Sequence, residues 1–241
     1  MIRTRERNAS GPNHEAKRAL FDALAEVAGA LASGRRAEIV DLLAQGERSV
    51  EEVADEIGQT MANASHHLRA LARTGLVRSR RAGTHIFYRL ASEEVETLWS
   101  ALRRVAQSLR PEVTNLAAAY LGDQREIEVI GREELMKRLQ AGDVVVLDVR
   151  PVLEYRAGHI SGAVSAPLTD LAQRLDQLPP RTPVIAYCRG TYCVFAPTAV
   201  RALHQAGVAA TMLEDGFPEW RRAGLPVSFG GQPGTIHSLP A

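Results

Sequence analysis

The chain holds two cysteines among 241 residues, and both fall in one six-residue stretch, Cys188-Arg189-Gly190-Thr191-Tyr192-Cys193. Two cysteines cannot staple a disulfide scaffold, and this placement suggests chemistry more than architecture. The apolar run Pro183-Val-Ile-Ala-Tyr187 reads as a buried strand that delivers Cys188 into the stretch. A helix is expected from about Val194, with Pro197 tolerable in its first turn. A thiol at a strand end, beneath loop amides and a helix N-terminus, is prepared as a thiolate and for an anion bound over it. Arg189 adds a cation. Cys188 is therefore expected to be the catalytic thiol, with a lowered pKa and the higher reactivity. Arg189, Gly190, Thr191 and Tyr192 form its loop. Cys193, a second thiol on the same loop, is a possible resolving thiol for Cys188. The plain alternative is a buried structural cysteine. Packing alone does not explain two thiols and an arginine in one strand-to-helix loop. Two thiols without a nearby histidine make an incomplete metal site, so no metal or other cofactor is expected.

A second chemistry lies upstream. Between Glu56 and Glu93 there is no acid, while Arg69, Arg73, Arg78, Arg80, Arg81 and Arg89 all fall there. Such a segment suits phosphate contact, because arginines release the counterions condensed on nucleic acid. A helix is expected from Thr60 to just before Gly75. Met61, Ala64, Leu68 and Leu71 share one face and should pack inward. Ala62, His66, Arg69 and Arg73 lie opposite, flanked by Asn63 and Ser65. Short groups at the N-terminal end (Thr60, Ala62, Asn63, Ser65, His66) suit base edges, and Arg69 and Arg73 suit phosphates. Arg78, Arg80 and Arg81 would flank an adjacent groove. His67 lies beside Leu68 and reads as structural. The competing view is that these arginines only solvate a surface.

The elements that position these residues can be read from periodicity. Helices are expected over 19–31, with Leu20, Leu24, Val27 and Leu31 inward, and over 35–44. Ser49-Val50-Glu51-Glu52 fits a capping box opening a short helix to Ile57-Gly58. Residues 76–90 read as a β-hairpin turning at Gly83. A long helix capped by Ser92 follows, with Val95, Leu98, Leu102, Val105 and Leu109 inward, and Pro111 ends it or opens a last helix to Leu121. Residues 122–125 form a linker. Beyond it, residues 143–149 and 183–187 suit buried parallel strands, with helices expected over 133–140, 168–178, 196–206 and 216–223. Residues 1–14 and the tail from Phe229 read as frayed. The domains are thus 15–121 and 126–228.

The length suits two modest domains. The balance of 29 basic to 28 acidic residues, a formal charge of +1, argues against a uniformly basic coat. Hydrophobic residues at 45% and charged residues at 24% match an ordinary soluble protein. The N-terminal residues have no secretory apolar run and no stretch suits a membrane span, which points to the cytoplasm of a prokaryote-like cell.

The stretches GRRAEIVDLL and SVEEVADEIGQTMANASHHLRALARTGLVRSRRAGTHIFYRL resemble the ArsR/SmtB family of winged-helix repressors over about residues 18–105. The resemblance implies a homodimer, built through its first and last helices, that binds an inverted-repeat operator in double-stranded DNA and leaves it on sensing a ligand. The thiolate sensor sites of that family are absent here. No cysteine lies in this domain, and the long helix SEEVETLWSALRRVAQ has no histidine, so a sensor should lie elsewhere.

The stretches LDVRPVLEYRAGHISGAVSAPL, VIAYCRGTYCVFAPTAVRAL and LEDGFPEWRRAGLPV resemble a single-domain rhodanese. That family moves sulfane sulfur through a cysteine persulfide, a role that maps onto Cys188. Asp148 and Arg150 match its structural Asp-x-Arg, so Asp148 reads as loop support and not as an acid. Cys193 stands where many thiosulfate-using members carry a polar or cationic residue, which counts against efficient thiosulfate transfer. A phosphatase-like reading wants Arg where Val194 stands.

The fold class implied is multidomain: an all-α/winged helix-turn-helix N-terminal domain and an α/β rhodanese-like C-terminal domain with a parallel sheet. The function expected is a DNA-binding transcriptional regulator, a repressor, whose second domain senses or processes reactive sulfur. Its small donor would be a persulfide, a polysulfide or thiosulfate, and no membrane is involved. The alternatives are a sulfurtransferase with an accessory DNA-binding domain, and an arsenic- or metal-responsive repressor using Cys188 and Cys193. Enzymatic turnover is left open.

Overall fold

The computed structural model describes residues 12–179 and 181–231. The expectations for residues 1–11 and for the tail beyond 231 lie outside the described residues. The chain falls into two compact units divided between Ser100 and Ala101, ahead of the linker expected at 122–125.

The first unit begins with α1 (Pro12–Ala30) and α2 (Gly34–Leu43), followed by the short strand β1 (Arg48–Ser49) and α3 (Val50–Glu56). Ser49 caps α3 in the expected capping box. Its hydroxyl accepts the Glu52 N–H at 3.2 Å, and Glu52 accepts the Ser49 N–H at 2.7 Å. Gly58 takes a positive φ of 59°, which turns the chain into α4 (Met61–Arg73). The hairpin of β2 (Val77–Ala82) and β3 (His85–Leu90) turns at Gly83, and β1 adds antiparallel to β3. The core joins Ile39, Val40, Leu42 and Leu43 to Ala64, Leu68 and Leu71 of α4, with Tyr88 and Val95.

The helix α5 (Glu93–Leu109) carries residues of both units, and α6 (Pro111–Leu121) follows. The apolar faces expected to turn inward do so only in part. Val95 is buried, but Leu20, Leu24, Leu98, Leu102, Val105 and Leu109 stay exposed, Leu109 at 73%. Periodicity shows that a face is apolar; it does not say what covers it. Met61 is also exposed, because it opens α4 one turn before the helix reaches the core at Ala64.

In the second unit a five-stranded, all-parallel sheet has the order β4-β9-β8-β5-β7. Its strands are β4 (Val129–Ile130), β5 (Val145–Asp148), β7 (Val164–Ser165), β8 (Val184–Tyr187) and β9 (Ala210–Leu213). The strand β6 (His159–Ile160) pairs antiparallel with β10 (Val227–Ser228). Around the strands lie α7 (Arg132–Ala141), α8 (Val152–Ala157), α9 (Leu171–Arg174), α10 (Phe195–Gln205) and α11 (Phe217–Arg222). The helix expected over 168–178 is shorter: α9 passes into a 3-10 turn at Leu175–Gln177.

Both faces of this sheet are covered, which is why its strands read as unbroken apolar runs. Val145, Leu147, Val184, Ala186 and Cys188 face Ala196, Ala199, Val200 and Leu203 of α10. Val146, Ile185 and Tyr187 face Leu135, Phe217 and Trp220 on the other side. The period of two along β8 therefore places Cys188 on the α10 side. Connections leave β5 and β8 in opposite directions across the sheet, so their C-terminal ends open the crevice where α/β sheets bind ligands.

Candidate functional site

Cys188 follows β8 directly and is buried, while Cys193 is half-buried on the same loop. The loop closes tightly: the Cys193 N–H donates to the Gly190 carbonyl at 2.9 Å, and Gly190 takes a φ of 130°, which favours glycine. The Cys188 thiol lies 3.7 Å from the Cys193 carbonyl oxygen. Thr191 is exposed at the tip, and the Tyr192 hydroxyl is buried without a hydrogen-bond partner.

The acidity of the two thiols runs opposite to the strand-end expectation. Burial pushes the Cys188 thiol well up, and the neighbouring Cys193 sulfur adds to the rise; the amides of Gly190 and Ala196 only partly counter this. Cys193 is lowered. The hydrogen bond from Cys188 contributes most, and the amides of Phe195 and Arg189 and the Arg189 charge help, against burial. Of the two, Cys193 is therefore the more acidic thiol, and it is also the less deeply buried. At neutral pH, limiting iodoacetamide is expected to label Cys193 before Cys188 in peptide mapping. Labelling of Cys188 first would reverse this order.

Arg189 is not a free cation over the loop. Its guanidinium forks onto the fully buried carboxylate of Glu154, with Nη2 2.6 Å and Nε 3.0 Å from Oε1, and it lies over the Phe195 ring. The guanidinium charge beside the loop is therefore balanced by Glu154.

Asp148 and Arg150 form a fully buried ion pair at the end of β5. Asp148 Oδ1 accepts from the Arg150 amide and Nε, both at 3.0 Å, and Oδ2 accepts from Nη2 and from the Tyr187 hydroxyl, both at 2.6 Å. Arg150 also donates to the Gly158 carbonyl at 2.7 Å and lies over the Phe217 ring. Burial alone would lower Arg150, but the Asp148 charge and hydrogen bonds outweigh it and hold the guanidinium above its ordinary value. Burial and the Asp148 charge push the Tyr187 hydroxyl well up, so it remains a donor.

The start of α11 presses on the sulfur loop from the other side. The Phe217 N–H donates to the Cys188 carbonyl at 3.1 Å. Gly216 lies so close that a Cβ there would enter the Gly190 nitrogen and the Arg189 carbonyl carbon. Glu219 Oε2 accepts the Gly216 N–H at 3.3 Å, and a Cβ on Gly190 would lie 3.0 Å from it. Neither Glu154 nor Glu219 is legible in the sequence as a loop partner, since 35 residues separate Glu154 from Arg189.

In the first unit, Thr60, Ala62, Asn63, His66, Arg69 and Arg73 are exposed along α4, with Ser65 half-buried. Thr60 also caps the helix, its hydroxyl accepting the Asn63 N–H at 3.3 Å. His66, Arg69 and Arg73 of α4 line a cleft of about 560 Å³ with Ser79 and Tyr88 of the hairpin. His67 is half-buried, and burial, followed by His66, Arg36 and Arg35, lowers its pKa.

Arg78, Arg80 and Arg81 are exposed on β2. The acid-free run in sequence is not acid-free in space. Glu47 folds back onto the hairpin and pairs with Arg80, whose Nε lies 2.9 Å from both carboxylate oxygens and whose guanidinium stacks on Phe87 at 4.6 Å. Glu51 likewise approaches His85 at 3.2 Å. Arg81 donates to the Gly83 carbonyl at 3.1 Å. Among the described residues no helix is long and apolar enough to cross a membrane.

Comparison with known proteins places these two sites in context. Residues 31–80 match the model of a helix-turn-helix domain, and residues 131–223 match that of a rhodanese-like domain. The chain is 48% identical over 214 residues to the HTH-type transcriptional regulator Rv0324 of Mycobacterium tuberculosis, covering 89% of this chain and 94% of that protein. It is 30% identical over 103 residues to a sulfurtransferase of Allochromatium vinosum, covering 42% of this chain and 94% of that one. Among solved structures it is similar to the homodimeric winged helix-turn-helix DNA-binding domain of Mb0332 from Mycobacterium bovis, described as a possible ArsR-family regulator. The identity there is 45%, over 42% of this chain and 93% of that one, with a TM-score of 0.39. An alignment of this extent with Rv0324, and matches to both domains in the same order, show that the chain belongs to the family of HTH-type transcriptional regulators in which a winged helix-turn-helix domain precedes a rhodanese-like domain.

Proposed function

We propose that the protein is a cytoplasmic repressor of the ArsR type that binds an inverted-repeat operator as a homodimer and responds to reactive sulfur through Cys188. The observation that carries this reading is the pair of thiols on one strand-end loop, in a chain whose DNA-binding domain has no cysteine of its own. Domain assignments of 15–121 for DNA binding and dimerisation and 126–228 for sulfur chemistry go with it. The exposed Asn63 and His66 suit base edges, with Thr60, Ala62 and Ser65 beside them, and Arg69, Arg73, Arg78 and Arg81 suit phosphates. The bare apolar faces of α1 and α5 suit a second copy of the chain.

The thiol pair supports a specific sequence of steps. Cys188 gives its proton to the Cys193 thiolate as its sulfur attacks the terminal sulfur of a hydropolysulfide. A Cys188 persulfide forms and a hydropolysulfide one sulfur shorter leaves, so charge and protons balance. Cys193 then attacks the inner sulfur of that persulfide, forming the Cys188–Cys193 disulfide and releasing hydrosulfide. The sulfane sulfur is the oxidant and leaves reduced. With Arg189 committed to Glu154, the loop suits a monoanionic donor better than dianionic thiosulfate.

The test uses an operator duplex selected from random DNA by the full chain, with binding measured before and after inorganic polysulfide. The wild type is expected to lose affinity at least about fivefold, and Cys188→Ser to bind unmodified DNA normally and show no response. An unchanged response in Cys188→Ser overturns the reading. Rapid turnover with a persulfide donor and no change in DNA affinity would favour the sulfurtransferase reading, and release by arsenite but not polysulfide would favour a dithiol metalloid site.

A further inference from the structure

The charged side chains next to the sulfur loop include one pair that the proposed chemistry does not use. Glu219, at the third position of α11, is 13% exposed at its side chain, and Arg103 of α5 reaches it with Nη2 2.9 Å from Oε1. Arg222 adds a contact at 3.2 Å. The other oxygen of the same carboxylate holds the Gly216 amide and lies against Gly190 of the loop. One carboxylate therefore joins α5 to the backbone that carries Cys188.

The sequence of α5 explains why Arg103 is there. Val95, Glu96 and Ser100 are its buried residues, and Trp99 packs beside the first unit's core. The spacings 96, 99, 100 and 103 follow one helical stripe. Trp99 donates its indole N–H to Asp41 of α2 at 2.6 Å, and Arg103 stands one turn further along that stripe. No glycine or proline interrupts residues 93–109, so the helix runs unbroken from Trp99 to Arg103.

We propose that Arg103 and Glu219 form the latch through which the state of the sulfur loop reaches α5, with Glu219 a positioning residue for the Arg189–Gly190 backbone and Arg103 its reporter. This rests on the sulfur-responsive reading above. Closing a Cys188–Cys193 disulfide redraws the 188–193 loop. Gly190 and Gly216 are in backbone contact and leave no slack, so the displacement reaches Glu219 and alters its grip on Arg103. By reciprocity, any DNA-linked change in α5 that moves Arg103 alters how readily the loop closes its bridge. The coupling is a difference in one ion pair between two states, which is what a ligand needs to shift affinity.

The experiment uses the full chain with inorganic polysulfide and the selected operator duplex. The readout is the ratio of DNA affinity with and without polysulfide, taken beside intact-mass spectra of the same samples. The wild-type ratio is expected to be at least about fivefold, and that of Arg103→Ala to fall within about twofold of one. Arg103→Ala should still take up sulfur and should bind unmodified DNA as the wild type does. Arg103→Lys, which keeps the charge, is expected to restore the response. Glu219→Gln, which keeps the shape and an acceptor for Gly216, is expected to lose it, so the proposal is still tested if Arg103→Ala folds poorly. A purely structural role would reduce sulfur uptake or folding and would leave the ratio intact. A full response in both Arg103→Ala and Glu219→Gln, beside a responsive wild type, overturns the latch alone. An unresponsive wild type overturns the sulfur-responsive reading and the latch with it.

Discussion

Asp148→Asn is expected to destabilise the rhodanese-like domain by about 3–5 kcal/mol, the cost of leaving a buried charge without its partner. Arg150 is fully buried, and its charge is balanced by this carboxylate. Asparagine is nearly the same shape, so the loss is not one of packing. It removes the negative charge, and where its amide replaces Oδ2 it sets a donor against both Arg150 Nη2 and the Tyr187 hydroxyl. The measurement is native-state hydrogen exchange at the amides of β5 and β8, which report opening of this sheet separately from the first unit. A loss of protection below about 1 kcal/mol would show that the network does not anchor the sheet end. Because Tyr187 precedes Cys188, the same substitution should also loosen the sulfur loop.

Gly216→Ala is expected to abolish sulfur uptake at Cys188 and to cost about 1–3 kcal/mol of stability, the usual range for overpacking. The reason is space and not conformation. Gly216 has φ −104° and ψ −175°, which any residue adopts, but its added methyl would enter the Gly190 amide and the Arg189 carbonyl carbon. The obstacle is backbone, so no side-chain rotation relieves it. Either the loop or the start of α11 must shift, and the hydrogen bond from the Phe217 N–H to the Cys188 carbonyl breaks first. Intact-mass spectra after polysulfide and a thermal melt decide the matter. Wild-type uptake together with a wild-type melting temperature would show that the two backbones are not locked.

These two sites differ in how far they can be read from the chain. The thiol loop is legible because its parts are neighbours: a strand, a nucleophile, a glycine and a helix start within about a dozen residues. The capping box at Ser49 and Glu52 is legible for the same reason. Partners far apart are not. Thirty-three residues separate Glu47 from Arg80 and 116 separate Arg103 from Glu219. No local pattern records such a meeting, since charge in sequence says nothing about which acids fold back. The order of thiol acidity differs from the expectation because the strand-end position supplies the helpful amides, while the depth of burial that outweighs them depends on α10 packing over the sheet. The stripes of α1 and α5 are apolar as their periodicity implies, yet the chain itself leaves much of them bare.

The Glu47–Arg80 pair bears on the kinetics of DNA encounter. An arginine already bound to a carboxylate presents little net charge at a distance, so Arg80 adds little to the long-range attraction that speeds association. A phosphate that is to pair with Arg80, as the proposed DNA contact requires, must displace Glu47, and one charge-assisted pair is exchanged for another. The gain from that exchange is realised only at close range, where the fit of the whole surface decides whether it happens. If Arg80 meets DNA as proposed, the pair with Glu47 sets how long the protein stays at a site more than how fast it finds one, and residence time is where related complexes chiefly differ.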